Sequence, residues 1–278
     1  PYQGNLAVFS RSAIQIWFVE ADDAANTFLQ TIKNTGTRAP KSVRSYGNND
    51  VFYLADSGVR SIKARDSSNA AFVSDVGTAI DSIMVEYVNS LADARIEAAI
   101  SVLEPEVDRY WLAVGGRIWV FSYFPSPKIS AWTYYDTTDD INADISELVR
   151  LNNRIYARAG DTVYLYGGDD NDTYPGDDEI VATVTLQFLS AGTPGTVKNL
   201  EGFDAAVEGE WDVNILVDPN DNNAFIDVGT IAEATYPDGR AAATGSTTHF
   251  APKLVCRKAG PATISDLVVH YEDPNEDG

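Results

Sequence analysis

One pattern constrains this chain more than any other. Four times in the first 166 residues an apolar run meets a tight turn and then a second apolar run. The first copy is Leu6-Ala7-Val8-Phe9, turn Ser10-Arg11-Ser12, then Ala13-Ile14-Gln15-Ile16-Trp17. The second is Val51-Phe52-Tyr53-Leu54, turn Ala55-Asp56-Ser57-Gly58, then Val59-Arg60-Ser61-Ile62. The third is Tyr110 to Val114, turn Gly115-Gly116, then Arg117 to Phe121, and the fourth is Arg154 to Ala157, turn Arg158 to Asp161, then Thr162 to Tyr166. Gly-Gly between two β-rich runs is a strong hairpin signal, because glycine enters positive φ freely. The turns fall near positions 11, 56, 115 and 159, so the repeat is about 44 to 59 residues. That spacing suits one small antiparallel sheet per repeat, such as a blade of a β-propeller.

The third repeat is the most complete. It predicts a strand over Ile96 to Leu103, a turn over Glu104 to Asp108, the Gly115-Gly116 hairpin, and a strand over Ile129 to Tyr135. Its strands are apolar at consecutive positions, as strands covered on both faces must be. Four repeats are few for a closed ring. A partial propeller and a generic antiparallel sheet therefore stand beside a complete one.

One helix is expected, over about 75 to 92. Val76, Ile80, Ile83, Met84, Tyr87, Val88 and Leu91 follow the helical apolar spacing, with Ser74 and Asp75 as N-cap candidates. Residues 136 to 179 hold 12 acids against 3 arginines, and the stretch from Gly167 to Asp178 reads as an exposed linker. Strand patterns then resume over 180–188, 197–207, 211–217, 249–257 and 264–271 with no helical period, as in a β-sandwich. The expected architecture is all-β: propeller-like blades with one inserted helix over residues 1–176, then a sandwich over 177–278.

Charge narrows the partners. There are 41 acids against 20 bases, a net charge of −21. Such a surface repels nucleic-acid phosphates and anionic membranes, and it also favours solubility. The longest apolar runs fall far short of the roughly 18 residues of a spanning helix. Cys256 is the sole cysteine, so an intrachain disulfide is excluded. It sits in a strand-like run and reads as a buried structural thiol.

Residues that could carry chemistry are few. His249 and His270 lie in strand-like runs and lack the positioned nucleophile and orienter that a catalytic histidine needs. Neither a phosphate loop nor a dinucleotide fingerprint is present. Asp218-Pro219-Asn220-Asp221-Asn222 places oxygens at calcium-loop positions one, three and five. The sixth position is Asn223 rather than Gly, and the twelfth is Gly229 rather than Glu, so a hairpin loop is the simpler reading. The run Asp169 to Asp172 fits calcium no better. Asp139 with Asp140, or Glu104 with Glu106, offers paired carboxylates, but neighbouring acids in a turn seldom flank one sugar ring. Arg38, Lys41 and Arg44 form a short basic stretch without the aromatics of a nucleic-acid reader. No catalytic, cofactor-binding or metal-ligating residue is assigned, no cofactor is expected, and the chain is not expected to be an enzyme.

A family resemblance rests on a longer order of motifs. Asn34-Thr35-Gly36-Thr37-Arg38-Ala39-Pro40 leads through Lys41-Ser42-Val43 to Asn49-Asp50-Val51-Phe52-Tyr53-Leu54-Ala55-Asp56-Ser57-Gly58-Val59-Arg60-Ser61. The Leu6 to Trp17 hairpin precedes it. Asp108-Arg109-Tyr110-Trp111-Leu112-Ala113-Val114, Ile118-Trp119-Val120-Phe121-Ser122-Tyr123 and Ser130-Ala131-Trp132-Thr133-Tyr134-Tyr135 follow. Over roughly residues 4 to 166 this resembles the propeller-bearing tail nozzle, or hub, proteins of short-tailed bacteriophages. The resemblance implies a structural protein of the virion tail, part of the channel that retains and ejects DNA. It implies a homo-oligomeric ring, a hexamer, between an adaptor or portal ring and the tail fibres or plug. It implies no membrane. Acids lining such a channel would let DNA slide without sticking. A glycan-binding propeller is the alternative, with Trp111, Trp119, Trp132 and Tyr134 stacking on sugars. A carboxylate hydrolase is a third reading.

Overall fold

The computed structural model describes residues 1–47, 50–66, 75–126, 128–137, 143–166, 180–237, 239–258 and 260–272. The chain divides into two compact units, Pro1–Gly168 and Asp169–Gly278. Both are antiparallel β structures, which settles the all-β class.

The first unit is four meanders taken in chain order. Sheet one contains β1 (Leu6–Phe9), β2 (Ala13–Phe18) and β3 (Thr27–Lys33). Sheet two contains β4 (Arg44–Tyr46), β5 (Asp50–Ala55) and β6 (Gly58–Ser61). Three short helices follow: α1 (Ile62–Asp66), α2 (Asp81–Asn89) and α3 (Asp93–Glu97). Sheet three contains β7 (Ile100–Glu104), β8 (Arg109–Val114), β9 (Arg117–Phe124) and β10 (Ile129–Asp136). Sheet four contains β11 (Ile145–Leu151), β12 (Arg154–Ala159) and β13 (Thr162–Tyr166). All four expected hairpins form. At the third, Val114 pairs with Arg117 across the Gly115-Gly116 turn, and Gly115 takes φ +57°.

Strand periodicity explains how the sheets stack. On β5, Val51, Tyr53 and Ala55 join Ile14, Ile16 and Ile32 of sheet one in one core. The alternate residues Phe52 and Leu54 join Tyr110, Leu112, Val114, Trp119 and Phe121 of sheet three in another. The other face of sheet three meets sheet four, where Trp111 and Tyr135 pack edge-on against Tyr166. Since each strand residue points to the face opposite its neighbour, one apolar run seals two interfaces. Each fully buried Leu or Phe contributes about 1.5–3 kcal/mol.

The helical insert differs from the expectation. The single helix over 75–92 is instead a 3₁₀ turn at Thr78–Ile80, then α2, then α3. Met84 and Val88 of α2 are buried in the core between sheets two and three, whereas Ile83 is left exposed. Asp75 is not an N-cap: its carboxylate is taken by sheet two and α1, as detailed below, and Ser74 lies outside the described residues. The strand expected over Ile96 to Leu103 begins only at Ile100. Ile96 and Ala99 stand three apart and both enter the same core, so the segment Asp93–Glu97 stays helical.

The second unit layers two sheets on one core. Its strands are β14 (Ala182–Thr185), β15 (Lys198–Glu208), β16 (Trp211–Leu216), β17 (Phe225–Ile231), β18 (Gly245–Thr247), β19 (Ala251–Cys256) and β20 (Thr263–Glu272). One sheet runs β14-β19-β16-β17 and the other β18-β15-β20. Leu200, Phe203 and Ala205 meet Trp211, Val213, Ile215, Leu254 and Cys256 between them, the layering of a sandwich. The strand expected over 180–188 is paired only from Ala182 to Thr185, with an isolated bridge at Leu189.

Candidate functional site

A buried cluster of charged groups in the first unit gathers where β6 meets α2. Arg60, 5% exposed, sends its two terminal nitrogens to the Asp81 carboxylate at 2.7 and 2.8 Å. Its Nε donates to Ser57 Oγ at 3.1 Å. Asp81 is the first residue of α2, where the helix dipole favours a negative charge. Asp75, also buried, accepts from the Ser61 and Val76 amides at 2.9 and 2.8 Å and from Arg65 Nε at 2.7 Å. Asp50 accepts from Ser61 Oγ and from the Val51 and Lys63 amides. Every carboxylate here is bound to guanidinium, hydroxyl or amide donors of the fold. The cluster fastens the helical insert to the hairpin.

The second unit holds a smaller constellation. Asp204, in β15, takes a hydrogen bond from Thr235 Oγ1 at 2.6 Å and lies 2.7 Å from His270 Nε2 on the neighbouring β20. The Thr235 hydroxyl, then His270, hold its carboxyl below the usual range against the opposing effect of burial. This resembles the orienting half of a catalytic dyad, but what it joins is β15, β20 and the segment after β17. Lys198, with no exposed surface, donates through Nζ to the carbonyls of Thr196 at 2.9 Å, of Thr248 at 3.3 Å and of Thr193. It thereby closes the loop before β15. A shallow apolar groove of about 500 Å³ is lined by Leu186, Phe188, Leu189, Phe250, Leu267 and Tyr271.

The residues singled out from sequence fall as follows. His249 Nδ1 lies 3.1 Å from the Thr248 hydroxyl, and His270 has the aspartate partner just described. Cys256 is buried in the sandwich core. Asp218 and Asp221 accept from the Asn220 and Asn223 amides at 2.8 and 2.9 Å in the β16–β17 connection, as turn residues do. Glu104 accepts from Trp111 Nε1 at 2.9 Å, while Glu106 pairs with Arg150, so the two carboxylates serve different partners. Asp139, Asp140 and Asp169 to Asp172 lie outside the described residues. Arg38 pairs with Asp56 and Asp93, Lys41 with Glu147, and Arg44 donates to the Val43 carbonyl, so the three make no joint basic patch. Trp111 and Trp119 are fully buried, and Trp132 Nε1 donates to the Val76 carbonyl at 2.8 Å. Tyr134, half exposed, is the one of the four aromatics with an open ring, and Arg117 lies 5.4 Å from its centroid.

Among the described residues no group of three or more His, Cys, Asp or Glu side chains is placed to hold a metal ion. None of their helices is long and apolar enough to cross a membrane. The charge is divided unevenly: the first unit carries 20 acids against 15 bases, and the second 21 against 5. No protein-family model and no curated protein matches the chain.

Proposed function

We propose that this chain is a structural protein of a bacteriophage virion, forming part of the tail channel through which DNA is retained and ejected. In this reading the four stacked meanders are consecutive blades of a propeller. The chain assembles as a homo-oligomeric ring, a hexamer, between an adaptor or portal ring and the fibres or plug of the tail. The observation that carries the reading is the face-to-face stacking of sheets one to four in chain order, with β5 of sheet two sealing two cores. It is the packing the resemblance to nozzle proteins calls for. The acidity of the second unit adds to it. A wall with 21 acids against 5 bases repels phosphates and lets a duplex pass without being held.

Two measurements test this. Electron microscopy of the purified full chain, alone and with virion tail extracts, is expected to show rings that incorporate into tails. Rings should also show no measurable retention of duplex DNA at low salt, where any electrostatic attraction is strongest. A particle that stays monomeric under all these conditions, or that binds duplex DNA tightly, sinks the reading.

A further inference from the structure

The two end sheets of the row break the ordinary rule for antiparallel sheets, in which outward positions are polar. On sheet one, Leu6, Trp17 and Phe28 stand directly opposite one another across all three strands, on the face turned away from sheet two. Leu6 is 50% exposed, and Val8 beside it on β1 is 45% exposed. On sheet four, Val149, Tyr156 and Leu165 form the matching three-strand row. Val149, Leu151, Val163 and Leu165 are between 47% and 63% exposed. Scattered exposed apolar residues mean little, but contiguous rows on both ends of a stack mark contact surfaces.

The charges beside the two rows are opposite. Glu20, Asp22 and Asp23 lie in the connection that leaves β2 just beyond Trp17 and have no cation partner among the described residues. Arg154 stands opposite Leu151 on the sheet-four face and has no carboxylate partner among the described residues. Inside the chain, each sheet already meets the next through an apolar face. We propose that the outer face of sheet one on one copy docks on the outer face of sheet four on a second copy. The sheet-on-sheet row then continues from chain to chain, with the acids of the β2–β3 connection set against Arg154. Such a contact is heterologous, so repetition yields a ring if the rotation closes and a filament if it does not. The ring outcome rests on the reading given above; the docking itself does not.

The test uses the full chain with two single substitutions, Leu6→Cys and Leu165→Cys, both at exposed positions. The native Cys256 is buried and stays silent to a short thiol cross-linker. An equimolar mixture of the two variants is expected to give a cross-linked dimer, and either variant alone is expected to give none. Leu165→Asp is expected to weaken self-association in sedimentation at least about tenfold, as loss of a central apolar anchor does. Self-linking of one variant, a link formed within a single doubly substituted chain, or a monomer at every concentration overturns the proposal. Rings that form without the mixed cross-link also overturn it while leaving the channel reading intact. Mixed cross-links in open filaments support it and count against the ring.

Discussion

Asp204 shows how much one side chain can tie together. Its carboxyl is held low by Thr235 and His270, residues 31 and 66 positions away. A folded pKa below the unfolded value of about 3.9 gives stability that is complete above that value. That stability is lost as pH falls through the folded value. Asp204→Asn is therefore expected to lower the urea midpoint at neutral pH, and the gap from wild type should narrow below about pH 4. A gap that stays constant down to pH 3 would show that the charge is not what stabilises. Lys198 makes a second case: Lys198→Met keeps the stem but removes the Nζ donor shared by three carbonyls, of which that of Thr193 keeps the Thr196 amide. A loss of about 1–3 kcal/mol is expected in the same assay. Gly36 makes a third. A Cβ there would collide with the Ser10 carbonyl oxygen and sit 2.8 Å from the Arg11 carbonyl carbon, both rigid backbone. Gly36→Ala should cost about 1–3 kcal/mol, as overpacking does, or more if neither segment yields. Asp204 and Lys198 were not legible as important in sequence, and Gly36 only as one position of a longer motif, because each owes its role to groups that meet it only after folding.

At the scale of elements, legibility followed periodicity. The four hairpins could be read because their turns are short and both flanking runs are apolar. The strands β3, β11 and β17 gave no clear signal. A register break interrupts the pairing of each of them, between Ile16 and Trp17, between Ile145 and Glu147, and between Val213 and Asn214. A bulge shifts the period-two pattern by one residue, which strands of seven residues cannot absorb, whereas the longer β15 and β20 stay readable across bulges of their own. In β11 the buried Ile145 and Leu148 stand three apart, a helical spacing inside a strand. The stacked sheets carry a prediction of their own. Burial pushes the Tyr53 hydroxyl up to about 12 between sheets one and two, despite its 2.5 Å contact with Thr35. Burial, then Asp108, pushes Tyr46 up to about 12 between sheets two and three. A phenol whose folded value exceeds the unfolded value of about 10 stabilises below that value and ceases to do so as pH rises through the folded one. The first unit should then lose stability between about pH 10 and pH 12, with tyrosinate absorbance and loss of sheet signal rising together. Smooth titration of all tyrosines near pH 10, in a chain that stays folded, would contradict the packing.

At the scale of the whole molecule the charge matters most, and its placement changes what it means. The sequence total of −21 does not say how the acids are shared between the parts of the chain. The division into units puts 21 acids and only 5 bases in the second, against 20 and 15 in the first. In the first unit most guanidinium groups find carboxylates, as in the Arg60–Asp81, Arg95–Asp144 and Arg117–Asp136 pairs. In the second, repulsion between like charges is largely uncompensated and acts against the compact state. Salt screens such repulsion, with a Debye length that shrinks from about 30 Å at 0.01 M to about 8 Å at 0.15 M. The two units have separate cores, so scanning calorimetry should resolve two transitions. Raising sodium chloride from about 0.01 M to about 0.5 M should move the transition of the second unit upward by several degrees. A shift of about 4–8 °C corresponds to roughly 1 kcal/mol for a domain of this size. The transition of the first unit should stay nearly fixed, because screening there weakens attractions and repulsions alike. If both move equally, or the first moves more, the acids of the second unit are already neutralised by neighbours. They would then be unavailable to repel a passing duplex, and the electrostatic part of the channel reading would fail with them.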